Sequence, residues 1–184
     1  HDVVSDMHDQ GAIYYGRNPS ERGNVIQYNY FHNLGNEHLS VSVYHDDGAC
    51  NMKVHGNIFY KAGSMPVLIG GGNDHTYSNN IFIDCPIGIH VDNRKQGWAL
   101  GSGEKGGAWK FEERLNAVDF QNPPYSTRYP GIAEYWKNEE IKYPKNNRIE
   151  NNIFFGVEKL IDGQKEWMIW DKNQILETVP PFWD

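Results

Sequence analysis

The chain has 184 residues, and nowhere in it do about 18 apolar residues run together, so no segment reads as a membrane-spanning helix. Cysteine is scarce: Cys50 and Cys85 are the only two, with no Cys-x-x-Cys pair. That removes a thiolate metal motif and a disulfide framework, and each reads as a buried free thiol. Positive charge is also short, with 17 Lys and Arg against 24 Asp and Glu for a net charge of −7. Nucleic acid drops out as a partner, because phosphate binding calls for a basic stripe. Helical periodicity is missing before about residue 108. The glycine run at 70–73 lacks the Lys-Ser/Thr ending of a phosphate loop.

What the chain has in quantity is turn formers and rings. It holds 19 Gly and 19 Asn, both tolerant of left-handed and turn backbone, so the chain bends often. Six Trp, 11 Tyr and 8 Phe accompany a mean hydropathy of −0.70. Rings in a polar, acidic protein serve either a packed core or a surface that stacks on sugars. The length suits one domain over 1–184. The opening HDVVSDMHDQG reads as the interior of a longer chain, so the missing signal peptide carries little weight.

Self-similarity decides the expected fold. VIQYNYF (25–31), KVHGNIF (53–59), TYSNNIF (76–82) and RIENNIF (148–154) share Asn-x-Phe, at Asn29/Phe31, Asn57/Phe59, Asn80/Phe82 and Asn152/Phe154. Between them lie GAIYYGR (11–17), VSVYHDD (41–47), PVLIGGG (66–72) and GIHVDNR (88–94), short β-branched stretches ending in Gly, Asp or Asn. The expectation is an all-β, right-handed parallel β-helix, a solenoid of about four coils. Its Asn residues stack at one bend and its Phe residues stack inside. Residues 95–146 break the repeat and are expected to form one long, partly helical insertion, with a helix over 109–118 and another turn of helix near 130–136. Residues 157–184 are expected to cap the last coil.

Aligning the second set puts Tyr14, Tyr44, Leu68 and His90 in one column, and Gly16, Asp46, Gly70 and Asp92 in another on the same face. Ile13, Val43, Val67 and Ile89 point inward. The outer face then displays Asp46 and Asp92 as an exposed acid pair beside Tyr14, Tyr44 and His90, with bare backbone at Gly16 and Gly70. Two coil spacings separate the two acids by about 9.6 Å, nearer the inverting than the retaining geometry of glycoside hydrolysis. Asp47 and Asp9 are further candidates for the pair, against the alternative that each aspartate caps a turn. Arg17 and Arg94 either bind a carboxylated sugar or, the favoured reading, pair with Asp47 and Asp92. His90 is a candidate acid/base or sugar-binding group. His8, His32, His38, His45, His55 and His75 read as structural.

DQGAIYYGR, VSVYHDDGA, GNIFYKAG, VLIGGGND, NNIFIDCPIGIHVDNR and PPYSTRYPGIAEY together resemble the right-handed parallel β-helix proteins of bacterial polysaccharide use. Within those the chain is most similar to the C-terminal portion of the glycoside hydrolase family with fucosidase and xylanase members. The Asp-Asp-Gly after the second strand and the Asp-x-Arg after the fourth are the more specific pieces. The resemblance implies a secreted or periplasmic enzyme with two aspartates in this region, acting on a carbohydrate; no metal or other cofactor is expected for the hydrolase. Two other functions stay open. A polysaccharide lyase would use Asp46, Asp47, Asp92 and Arg94, with Ca²⁺ to neutralise a uronate. A non-catalytic solenoid would bind glycans or serve only as a structural coil. Neither sugar, linkage nor oligomeric state is legible.

Overall fold

A computed structural model describes residue 3 and residues 8–35 and 39–177. His38 and the VPPFWD tail, which the sequence reading placed among structural histidines and in a cap, lie outside the described residues. The chain makes five passes. The first lays down β1 (Gln10–Gly16), β2 (Val25–Gln27) and β3 (Tyr30–Leu34). The second gives β4 (Ser40–Asp46), β5 (Lys53–His55) and β6 (Ile58–Ala62). The third gives β7 (Met65–Gly70), β8 (Thr76–Ser78) and β9 (Ile81–Ile83). The fourth opens with β10 (Ile87–Asp92). It resumes at β11 (Asn147–Glu150) and β12 (Ile153–Phe155). The fifth is β13 (Lys159–Gly163), β14 (Met168–Asp171) and β15 (Gln174–Leu176). Corresponding strands pair in parallel into three five-stranded sheets, a stacking consistent with a solenoid.

Sharp bends between short strands need residues that accept left-handed backbone. At the corner before the third sheet they are Tyr28, Gly56, Asn79, Asn151 and Lys172, with φ from 50° to 64°. The asparagine after each one closes the corner. Asn57 Oδ1 accepts from the Asn29 backbone N–H at 3.0 Å and the Asn29 amide at 2.9 Å, while its own amide donates to Ile26 O at 2.9 Å. The same amide contact repeats from Asn57 to Asn80, Asn80 to Asn152 and Asn152 to Asn173. Buried amides that satisfy one another hold the passes in register.

Inside, Phe31, Phe59, Phe82 and Phe154 stack with ring centroids 5.0, 4.9 and 4.7 Å apart, and Trp170 closes the column 5.3 Å from Phe154. Cys50 and Cys85 are free and buried. Residues 159–176 extend all three sheets as a fifth set of strands, so they cover the fourth pass by pairing with it.

No strand lies between Asp92 and Asn147 among the described residues. The segment carries α1 (Phe111–Ala117), α2 (Tyr125–Arg128) and short 3₁₀ turns, shorter than the helices expected from the pattern. Trp109, Phe111, Leu115, Phe120, Ile132 and Tyr135 form a core separate from the one between the sheets. The Tyr129 hydroxyl donates to Arg22 O at 3.1 Å, and a Cβ on Gly48 would meet the Phe111 ring at 2.8 Å, so this segment packs against the bend between the first and second sheets.

Candidate functional site

The first sheet aligns as the β-branched pattern demands. Ile13, Val43, Val67 and Ile89 share one register column. Tyr14, Tyr44, Leu68, His90 and Asp162 share the next, and Gly16 pairs with Asp46 while Asp92 pairs with Gly70. Alternation therefore places Asp46 and Asp92 on the outward side of the sheet.

They meet through Arg94. Its Nε donates to Asp92 Oδ1 at 2.9 Å and Oδ2 at 3.1 Å, and its Nη2 donates to Asp92 Oδ2 at 2.6 Å. Its Nη1 donates to Asp46 Oδ1 and, at 3.0 Å, to Asp47 Oδ1. One guanidinium thus holds three carboxylates. Arg17, the residue after β1, donates its Nε to Asp47 Oδ2 at 2.6 Å. Asp47 sits at φ 38°, which turns its side chain back between the two arginines. The ion-pair reading of Arg17 and Arg94 holds.

Rings and a histidine flank the carboxylates. The Tyr14 hydroxyl donates to Asp46 Oδ2 at 2.5 Å, and Tyr44 donates to Asp9 Oδ1 at 2.7 Å. The two rings meet edge to face, with centroids 5.1 Å apart. His90 donates from Nδ1 to Asp162 Oδ2 at 2.6 Å, which leaves its Nε2 3.9 Å from Asp92 Oδ2. Lys159 also bonds Asp162.

Charge and burial shape the titration of these groups. Burial, then the bond to Asp46, pushes the Tyr14 hydroxyl far above its ordinary value; burial, then Asp9, does the same at Tyr44. Burial pulls Arg94 down, and Asp92, Asp47 and Asp46 outweigh it, so the guanidinium ends well above its ordinary value. The bond from Lys159, assisted by His90, lowers Asp162. Among the described residues the ion pairs set Asp46, Asp47 and Asp92 against Arg17 and Arg94, with Asp9 beside them on Tyr44, so carboxylates outnumber guanidiniums in the cluster.

Two expectations are corrected. Asp46 is not an open acid: its side chain is 9 % exposed, against 27 % for Asp92, and Tyr44 is buried with it. Nor is the floor bare. A Cβ on Gly70 would stand 2.5 Å from Arg94 Cζ, and one on Gly16 would stand 2.7 Å from Asp46 O, so the missing side chains make room for the network. The reason is the turn after β10, where Arg94 N donates to Asp92 Oδ1 at 3.0 Å and sends the side chain back across β7. Asp162 was missed. Aligning KLIDG (159–163) with IGIHV (87–91), Asp162 under His90, is the signal. Trp98, in the segment outside the repeat, stands at the guanidinium, with Arg94 Cζ 5.4 Å from the ring centroid.

A calcium site at these aspartates does not fit, because the guanidinium occupies the point on which the carboxylates converge. Cavities of about 560 Å³ beside Asp84 and Glu158, and of about 530 Å³ beside Trp136, are lined by other residues than these. Comparison of the chain with protein families, curated proteins and solved structures finds no match.

Proposed function

We propose that this chain is part of a carbohydrate-active right-handed parallel β-helix enzyme, a glycoside hydrolase of the family type with fucosidase and xylanase members. In this reading residues 95–146 are an insertion that walls the coil, and the protein works outside the cytoplasm, in the periplasm or beyond the cell. The observation that carries the reading is the meeting of Asp46 and Asp92 on one guanidinium, on the outward side of the first sheet, beside Tyr14 and His90.

The chemistry follows from the two environments. Glycoside hydrolysis needs two carboxyl groups at the scissile bond, one to move a proton to the leaving oxygen and one to activate water or attack carbon. Asp92 is the more exposed and has His90 beside it, so it is the group that faces substrate. Asp46 is the second carboxyl, approached past Tyr14. Asp47 and Arg17 complete the charge frame around Arg94, and Asp9 with Tyr44 forms its rim. The same frame weighs against a uronate lyase: both guanidiniums are already engaged by carboxylates, and the surplus charge repels an acidic sugar.

The test is an assay of the full-length protein on neutral and acidic glycans, with products read by reducing ends, near-ultraviolet absorbance and NMR of the anomeric proton. Reducing ends without an unsaturated product, lost in Asp92→Asn, are expected. An unsaturated product blocked by a chelator, or turnover indifferent to Asp92→Asn and Asp46→Asn alike, removes the reading.

A further inference from the structure

Trp98 is 75 % exposed, yet its position is built. It lies just past a 3₁₀ turn, Arg94–Gln96, and the chain on either side is tied down: Gly97 N and Ala99 N both donate to Arg94 O at 3.0 Å. Ala99 is buried in the core of the 95–146 segment. The indole is therefore carried on a short, closed turn between two anchored neighbours, with one side toward the Arg94 guanidinium 5.4 Å from its centroid. That guanidinium cannot swing away, because three carboxylates grip it. The rest of the ring faces solvent.

We propose that Trp98 is a sugar-stacking platform, the floor of a subsite adjoining the carboxylate cluster, and that it takes a neutral pyranose. A pyranose presents an apolar face of C–H groups with slightly positive hydrogens, which matches the negative face of an indole. A cation on one side of the ring takes the cation–π position, so the free side is left for a neutral group. Asp92, held by the same guanidinium and only partly buried, supplies an acceptor for sugar hydroxyls, with His90 Nε2 3.9 Å beyond it. The excess of aspartate over arginine in the cluster selects against uronates and other anionic sugars. The inference rests on the glycan reading above and adds to it a residue and a substrate charge.

The test is a titration of ¹⁵N-labelled full-length protein with neutral gluco-, manno-, xylo- and galacto-oligosaccharides, and with hexagalacturonate. The indole N–H peak of Trp98 is the one absent in Trp98→Phe. At least one neutral oligosaccharide is expected to shift it, with the Kd raised about tenfold or more in Trp98→Ala and nearly unchanged in Trp98→Phe. The proposal is overturned if no neutral oligosaccharide moves the peak, if Trp98→Ala binds as tightly as the parent, or if hexagalacturonate binds there more tightly. The two readings fail separately. Binding at Trp98 without any turnover removes the hydrolase and keeps the platform. Turnover with kcat/KM indifferent to Trp98→Ala removes the platform and keeps the hydrolase.

Discussion

Arg94 occupies the space that a side chain at Gly70 would fill: a Cβ there would stand 2.5 Å from Cζ and 2.7 Å from Nη1. The glycine is thus part of the charge network, although it carries no charge. Gly70→Ala is expected to push the guanidinium off Asp46 and to destabilise the fold by about 1–3 kcal/mol, the usual range for overpacking. In an Arg94→Ala background the same methyl is expected to cost much less. A double-mutant cycle from urea unfolding measures this coupling, and additive effects would show that the close contact is relieved without moving Arg94.

Arg94 itself is the larger loss. Without it Asp46 and Asp47, both nearly buried, face each other with Arg17 as the remaining cation. Arg94→Ala is expected to destabilise by about 3–5 kcal/mol at neutral pH, the range for removing one partner of a buried ion pair. Arg94→Lys is expected to recover only part of this, because an ammonium cannot bridge three carboxylates as a fork. Thermal unfolding of the two variants beside the parent checks the order.

The interior holds a second pair of interest. His45 and His75 are fully buried and stacked, with centroids 4.4 Å apart. Burial drives both below the ordinary histidine value, His45 well below with His75 as its neighbour, and His75 to about 3, where the bond to Ala49 O opposes burial and Arg22 and Lys95 add to it. A histidine with a depressed folded-state pKa adds stability above its unfolded value of about 6.5 and loses it as pH falls toward the folded value. Between about pH 6.5 and 3, His75 alone should remove up to about 1.4 kcal/mol per pH unit, and His45 acts in the same direction. Urea unfolding at pH 7, 5.5 and 4.5 is expected to show this slope, and His75→Gln to flatten it. An unchanged slope in His75→Gln assigns the acid sensitivity to other groups.

The Asn ladder and Phe stack give the clearest stability test. Phe82→Ala opens a cavity between Phe59 and Phe154 and is expected to cost about 3–5 kcal/mol. Asn80→Ala removes the acceptor of the Asn57 backbone N–H and takes one donor each from Val54 O and Asn152 Oδ1, all buried, and is expected to cost at least about 2 kcal/mol. Were Asn80→Ala silent, the ladder would be a consequence of the stacking and not a cause of it.

These repeats were legible because they are local and periodic. Asn-x-Phe marks four of the five passes, and alternation around Val43 and Ile89 was enough to place Asp46 and Asp92 on one face. The fifth pass was hidden because Asn173 is followed by Gln174 and Ile175, with no phenylalanine, and because KLIDG is short and polar at its end. The path of Arg94 was not legible either. Asp-x-Arg after a strand says that the two side chains are close, but whether the guanidinium faces solvent or folds across β7 depends on a missing side chain 24 residues earlier, at Gly70. Exposure of Asp46 was misjudged for the same reason: alternation sets the face, while neighbours from other passes set the burial.

The two aspartates are expected to part company when each is changed to asparagine. In the proposed mechanism both substitutions keep side-chain size and remove proton traffic or charge, so each should lower the rate on a neutral glycan by about 10²–10⁴-fold. Their stabilities should differ. Asp92 is partly open to solvent, so Asp92→Asn should stay within about 1 kcal/mol of the parent even though it weakens the fork to Arg94. Asp46 is held beneath Tyr14 and Arg94, and Asp46→Asn puts an amide where two donors point, at a cost of about 1–3 kcal/mol. Rate and urea midpoint measured on the same samples separate the roles. Asp46→Asn with a lower midpoint and full activity would make Asp46 a support for Arg94 alone, and would pass the second carboxyl's work to Asp47 or Asp9.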